Sequence, residues 1–147
     1  MQELKNQNRF DLVGVVLSEA LEAGGAKVSP REFTTGISAC ATARNWQLAV
    51  QLFDLMHKAR VAANAYCHNA TISACEKGGQ WQLAVHLFDS MRKAMVDADV
   101  ISYNATISAC EKDGQWQQAM QLFGSMLKAK VDADVISYSA TISACEK

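Results

Sequence analysis

The chain is short of most features that would tie it to catalysis, to a membrane or to a strongly charged partner. It has one proline, Pro30, and no glycine-rich loop of the phosphate-cradling kind. No apolar run approaches the length of a membrane-spanning helix, which excludes a transmembrane segment. The formal net charge is −1, so no whole-protein field draws the chain to nucleic acid or anionic lipid. Glu3 and Asp11 stand near the N-terminus, which has neither the apolar core of a signal peptide nor the Arg- and Ser-rich, acid-poor character of a transit peptide. The five cysteines include no C-x-x-C pair, so neither a zinc site nor a disulfide framework is indicated, and buried free thiols are expected. His57, His68 and His86 share no motif, and the H-x-E with a later C-x-x-C of a zinc deaminase is missing. The expectation is no catalytic residue, no metal, no cofactor and no small-molecule substrate.

What the chain does have is a period. Thr-Ile-Ser-Ala-Cys-Glu-Lys occurs at Thr71–Lys77, Thr106–Lys112 and Thr141–Lys147, and an eroded copy runs from Thr35 to Cys40. Cys40, Cys75, Cys110 and Cys145 are thus one position seen four times, and Cys67 stands apart. Repetition at a fixed period of this size marks a solenoid. The register gives one array over 1–147, with a partial unit 1–29, complete units 30–64, 65–99 and 100–134, and a truncated unit 135–147.

Two helices are legible in each complete unit. From Tyr103 to Lys112, the residues Tyr103, Ile107 and Cys110 follow the spacing of one helix face. Gly114 breaks the helix, and Trp116, Ala119, Met120, Phe123 and Met126 then form the stripe of a second, longer helix. Trp81, Ala84, Val85, Phe88 and Met91 repeat that stripe, as do Trp46, Ala49, Val50, Phe53 and Met56. Neither helix of a unit can bury its stripe alone, and stacked neighbours remove the problem. The expected fold is all-α, a right-handed α-solenoid of antiparallel helix pairs.

With these residues the chain resembles the pentatricopeptide repeat family. The resemblance rests on the 35-residue period, on Val100-Ile101-Ser102-Tyr103-Asn104 opening a unit, on the Gly114-Gln115-Trp116 turn, on Ala119–Met126 and on the closing Asp134. It covers residues 30–147 well and 1–29 poorly. The tetratricopeptide family, with its tryptophan in the first helix, fits worse, because Trp46, Trp81 and Trp116 all open the second helix.

The resemblance implies single-stranded RNA binding, one base per repeat. It assigns base reading to Thr34 with Asn64, Asn69 with Asp99, and Asn104 with Asp134, while Ser139 begins a fourth site without a closing partner. The family's pairing rule then gives a core preference of 5′-A-U-U-3′. Arg31, Tyr66, Ile101 and Ile136 match the positions that sandwich bases, and Lys77, Lys112 and Lys147 match a position that contacts phosphates. Blander readings stand beside these. Asn69 and Asn104 are also the polar residues expected near helix N-termini, the tryptophans fit core packing better than base stacking, and the lysines, each preceded by a glutamate, fit a solvated face.

Three complete base sites at roughly 1–3 kcal/mol each, less the cost of ordering, fall short of the ~8 kcal/mol of micromolar affinity. So short an array is expected to bind weakly. The ends of the sequence are out of phase, which suggests head-to-tail self-association as a second expectation. The competing reading is a helical-repeat scaffold that binds a protein or peptide in its concave groove. The family resemblance points to a chloroplast or mitochondrion and to RNA processing, although no transit peptide is visible.

Overall fold

The computed structural model describes residues 30–146. The expected partial unit 1–29 and Lys147 lie outside the described residues. Among the described residues seven helices follow one another: α1 Pro30–Thr42, α2 Trp46–Lys58, α3 Ala65–Lys77, α4 Trp81–Lys93, α5 Val100–Lys112, α6 Trp116–Lys128 and α7 Val135–Glu146. No strand is present among the described residues.

The turns explain why the helices stop where they do. After α1, α3 and α5 the chain enters the left-handed region at Arg44, Gly79 and Gly114, and after α2, α4 and α6 it does so at Arg60, Met95 and Lys130. At each of these six ends two carbonyls of the last turn are recaptured. After α2, for example, Arg60 N–H donates to His57 O and Val61 N–H to Met56 O. That is the Schellman arrangement, normally built on glycine at the left-handed residue. Four of the six residues here carry side chains and bear the modest strain of positive φ. Sequence alone flagged only the Gly114 break.

Packing sorts the helices into two layers. α1, α3, α5 and α7 stack in a row, each on the next, while α2, α4 and α6 each contact their own first helix and the one that follows. The second helices do not reach one another, so the row of first helices holds the array together. Its apolar centre is Ile37, Ile72 and Ile107, all fully buried. The outer layer closes over it with Ala49, Ala84 and Ala119, Leu52 and Leu87, and Met56, Met91 and Met126. Each layer contact is completed by an edge-on ring pair: Phe53 with His68 at 5.0 Å, Phe88 with Tyr103 at 4.8 Å and Phe123 with Tyr138 at 5.2 Å. This is an all-α helical-repeat solenoid.

Several sequence expectations shift. The first helix of the third pair starts at Val100 rather than Tyr103, because Asp99 caps it three residues earlier. The second-helix stripe centres on Leu52, Leu87 and Leu122, whereas Met120 is about half exposed, having rotated off the buried face. Trp46 and Trp81 lean on the core as expected, but Trp116 is half exposed. A side chain at Gly78 would meet the Trp46 indole at 2.2 Å, so that glycine is a site of close approach. Cys40, Cys67, Cys75 and Cys110 are buried, and burial pushes the Cys75 thiol up to about 12 and Cys110 to about 11. Cys145 is exposed instead, together with Tyr138 and Ile142 on α7.

His68 occupies the ring position that Tyr103 and Tyr138 fill in the next two helix pairs. It is buried, its Nδ1 lies 2.9 Å from Asn64 O, and its Nε2 has no partner. Burial, reinforced by His57, lowers its pKa from the ordinary 6.5 against the opposing pull of Asn64 O. The folded state therefore takes up a proton less readily than the unfolded chain, and stability falls as pH drops below the unfolded value. His68→Tyr should reduce the loss of thermal stability between pH 7.5 and 5.5, as melting curves at the two pH values would show. An equal loss in both proteins would assign that pH dependence to other groups.

Candidate nucleic-acid interface

The described residues assigned to base reading, base sandwiching and phosphate contact all lie in the first helices or, for Asn64, Asp99 and Asp134, immediately before them. Successive first helices present Arg31, Tyr66, Ile101 and Ile136 as exposed side chains. Tyr66 is 58% exposed and Ile101 and Ile136 are both 60% exposed, in a protein whose other isoleucines at the helix contacts are fully buried. Three large side chains thus recur at one register position with more than half of their surface in water.

Clefts open between these side chains. One, of about 540 Å³, is lined by Arg31 and Tyr66 with Thr34 and Asn64 among the residues between them. The next, of about 280 Å³, is lined by Tyr66 and Ile101 and also by Asn69, Ser73 and Lys77. Packed helices sit ~8–10 Å apart, close to two van der Waals contacts of ~3.5–4.0 Å laid on either side of a flat ring. A larger groove of about 630 Å³ lies elsewhere, where Arg92, Met95 and Lys128 at the ends of α4 and α6 surround Tyr103. None of the sequence-assigned site residues lines it.

Two of the three assigned pairs are joined by a hydrogen bond. Asn69 Nδ2 donates to Asp99 Oδ1 at 3.2 Å, and Asn104 Nδ2 donates to Asp134 Oδ1 at 3.0 Å. The aspartates also have a structural duty. Asp99 is the N-cap of α5, its Oδ1 accepting Ser102 N–H at 3.0 Å while Ser102 Oγ accepts Asp99 N–H at 3.2 Å. Asp134 and Ser137 repeat both bonds at the start of α7. The capping role thus falls to the aspartates and not to Asn69 and Asn104, whose amides are partly buried between neighbouring first helices. Burial alone would raise the Asp99 pKa, but hydrogen bonds from Ser102 and Asn69 outweigh it and hold the carboxyl below the usual range. Asp134 is held low chiefly by the Ser137 N–H and then by the Asn104 amide.

Sequence reasoning missed the serines. Ser102 and Ser137 are fully buried, and each lies 2.5 Å from the amide oxygen of the preceding asparagine through its hydroxyl. Their signal was present as Asp-x-x-Ser at a helix start, a capping pattern.

The first pair is built differently. Thr34 and Asn64 line one cleft, but the Thr34 hydroxyl turns to Pro30 O at 2.9 Å and lies 2.9 Å from Cys67 Sγ, while Asn64 Oδ1 accepts Cys67 N–H. Ser139 is exposed on α7. Of the lysines, Lys77 lines a cleft, and Lys112 forms an ion pair with Glu76 of the preceding first helix at 2.5 Å. The same Glu76 accepts from Ser108, and Glu111 accepts from Ser143. The glutamate that offsets Lys112 is therefore one helix pair back, not its sequence neighbour. Lys77 has Ala41 at the corresponding place. Among the described residues no cluster of three or more metal-ligating side chains occurs.

A family model described as pentatricopeptide repeat domain matches residues 16–79 and 61–113, and one described as PPR repeat family matches residues 98–147. Among solved structures, the pentatricopeptide repeat protein PPR10 from maize is similar at 21% identity over 86% of this chain, with a TM-score of 0.74. PPR10 in complex with an 18-nt psaJ RNA element is 26% identical over 96% of the chain, with a TM-score of 0.77. The PPR domain of Arabidopsis thaliana protein-only RNase P 1 in complex with tRNA is 13% identical over 99%, with a TM-score of 0.80. The chain spans 18% and 21% of the two PPR10 chains and 77% of the third. No curated protein matches it.

The double duty of the boundary aspartate makes its removal measurable. Asp99→Ala should cost about 0.5–2 kcal/mol, toward the lower end because the carboxylate is exposed and screened. A carboxylate with a lowered folded pKa stabilises above its unfolded value and ceases to do so as pH falls through the folded one. Urea unfolding should therefore show the gap between wild type and variant at pH 7 narrowing as pH is lowered through the carboxylate range.

Proposed function

Because the chain belongs to the pentatricopeptide repeat family, we propose that it is a non-catalytic module that binds single-stranded RNA along the face of its first-helix row. The observation that carries this reading is the coincidence of exposed flanking side chains with a polar pair set between them, most fully at Tyr66 and Ile101 around Asn69. The similarity to PPR10 solved with an RNA element supports the same ligand class.

Each base would slide between consecutive flanking residues, Arg31 and Tyr66, Tyr66 and Ile101, Ile101 and Ile136, and stack on them. Hydrogen bonds would then read its exposed edge. The Asn69–Asp99 and Asn104–Asp134 pairs offer an amide N–H donor beside a carboxylate acceptor. That set complements uracil, whose edge pairs an N3–H donor with the O4 acceptor, and it opposes cytosine, which offers a lone pair and an N4–H donor instead. Thr34 with Asn64 has a different donor and acceptor set, in keeping with a different base, adenine by the family rule. The preferred core is 5′-A-U-U-3′. Lys77 would contact a phosphate directly, whereas Lys112 must first loosen or share its bond to Glu76.

The exposed flanking positions weigh against a peptide-binding scaffold, since a peptide has no need of flat slots at helix spacing. Titration of labelled single-stranded RNAs separates the two. RNA containing A-U-U should bind with a Kd of about micromolar or weaker and more tightly than poly-C. Asn104→Thr should shift preference at the third base alone. Equal binding of both RNAs, together with no shift in the variant, would refute the base-reading scheme.

A further inference from the structure

We infer that Ser102 and Ser137 are positioning residues that set base preference by locking the orientation of the asparagine amide in front of them. The inference rests on the base-reading proposal and goes a step beneath it. An asparagine amide can present its nitrogen or its oxygen to a ligand, and the two faces recognise opposite base edges. Something must choose between them.

The choice is visible in the hydrogen-bond arithmetic. Asp99 as a carboxylate only accepts, so it draws Asn69 Nδ2 and repels Oδ1. Ser102 Oγ has a single proton and lies 2.5 Å from Asn69 Oδ1 and 2.9 Å from Asp99 Oδ1. Asp99 Oδ1 already accepts Ser102 N–H and the Asn69 amide. The closer acceptor, Asn69 Oδ1, is therefore the better use of the proton. The amide is then pinned at both ends, oxygen inward on the serine and nitrogen on the aspartate, with the second Nδ2 proton left to donate to a ligand. Asn104, Asp134 and Ser137 repeat every one of these bonds. Full burial of both serines keeps water from competing for the same oxygen.

The first pair supplies the contrast within one chain. At the position of Ser102 it has Cys67, a weak donor, and the residue in front is Thr34, which has no amide to orient. A hydroxyl thus stands behind each asparagine, and a thiol stands where no asparagine does. Cys67 is as fully buried as Ser102, so this register accommodates either residue.

Ser102→Cys is accordingly a near-isosteric test. The free protein should keep its melting temperature to within a few degrees, and the side-chain NH2 signals of Asn69 should move while those of Asn104 stay. Uracil-over-cytosine preference at the second base should fall by about fivefold, the worth of one ordinary hydrogen bond, with the third base unaffected. A gain-of-function series backs this up. Thr34→Asn with Asn64→Asp should favour uracil at the first base, and adding Cys67→Ser should sharpen that preference. If Ser102→Cys leaves second-base preference intact while Asn69→Thr alters it, the base reading stands and the serine inference is wrong. Loss of preference at both bases together with the melting temperature would also overturn it, as general destabilisation. If neither Ser102→Cys nor Asn69→Thr changes any preference, or if no RNA binds, the base reading itself has failed and takes the inference with it.

Discussion

Everything in this protein depends on one first helix lying on the next. α1, α3, α5 and α7 each have one face that only a neighbour in the row can cover, and the outer helices meet the row without meeting each other. Ile37, Ile72 and Ile107 are the buried midpoints of that stack. Stability in such an array is a sum of helix pairs and their interfaces, so the same apolar contact that closes the core also sets the distance between the proposed binding positions. The clefts come from packing two cylinders at ordinary helix separation. A ligand with flat units repeated along a chain fits such a surface more naturally than a compact one.

The boundary aspartate shows how little extra machinery that surface uses. A helix beginning in the middle of a structure has amide groups to satisfy, and Asp99 and Asp134 satisfy them with a shared capping geometry. The same carboxylate oxygens reach back to the asparagine of the previous first helix. Capping and the joining of helix pairs are one hydrogen-bond network, and the proposed reading group is assembled from parts already needed for folding. A change at the aspartate therefore acts on stability and on recognition together, whereas a change at Asn69 or Asn104 leaves the cap in place.

Much of this was legible before any coordinates. The repeated heptapeptide sets the period, Trp46, Trp81 and Trp116 mark the start of each second helix to the residue, and Ile107 falls in the packing stripe of its helix. The misreadings have physical reasons. Helix α5 begins at Val100 because a side-chain cap, not an apolar stripe, decides the first turn. Met120 was placed in the stripe on apolarity alone, yet the angular centre of the buried face runs through Leu122. Arg44, Arg60, Met95 and Lys130 enter the left-handed region without glycine, so composition gave no sign of four of the six helix ends. The capping role of the serines is legible as Asp-x-x-Ser, but their bond to the asparagines is not, because it crosses 33 residues of sequence.

The near-neutral net charge, which argues against strong nucleic-acid attraction at the level of composition, hides a local difference between Lys112 and Lys77. Glu76 is only slightly exposed at its side chain, and it holds both Lys112 and Ser108 across a helix contact. An acid used in this way is part of the stack and contributes little to the outward field, because its partner is within bonding distance. Lys77, facing Ala41 across the equivalent contact, keeps its charge for the cleft it lines. Attraction for a phosphate chain is then local and modest, in keeping with the proposal that discrimination rests on hydrogen bonds to base edges. Strong non-specific attraction would add the same affinity to every sequence, whereas the proposed reading by the Asn–Asp pairs would act on the difference between sequences.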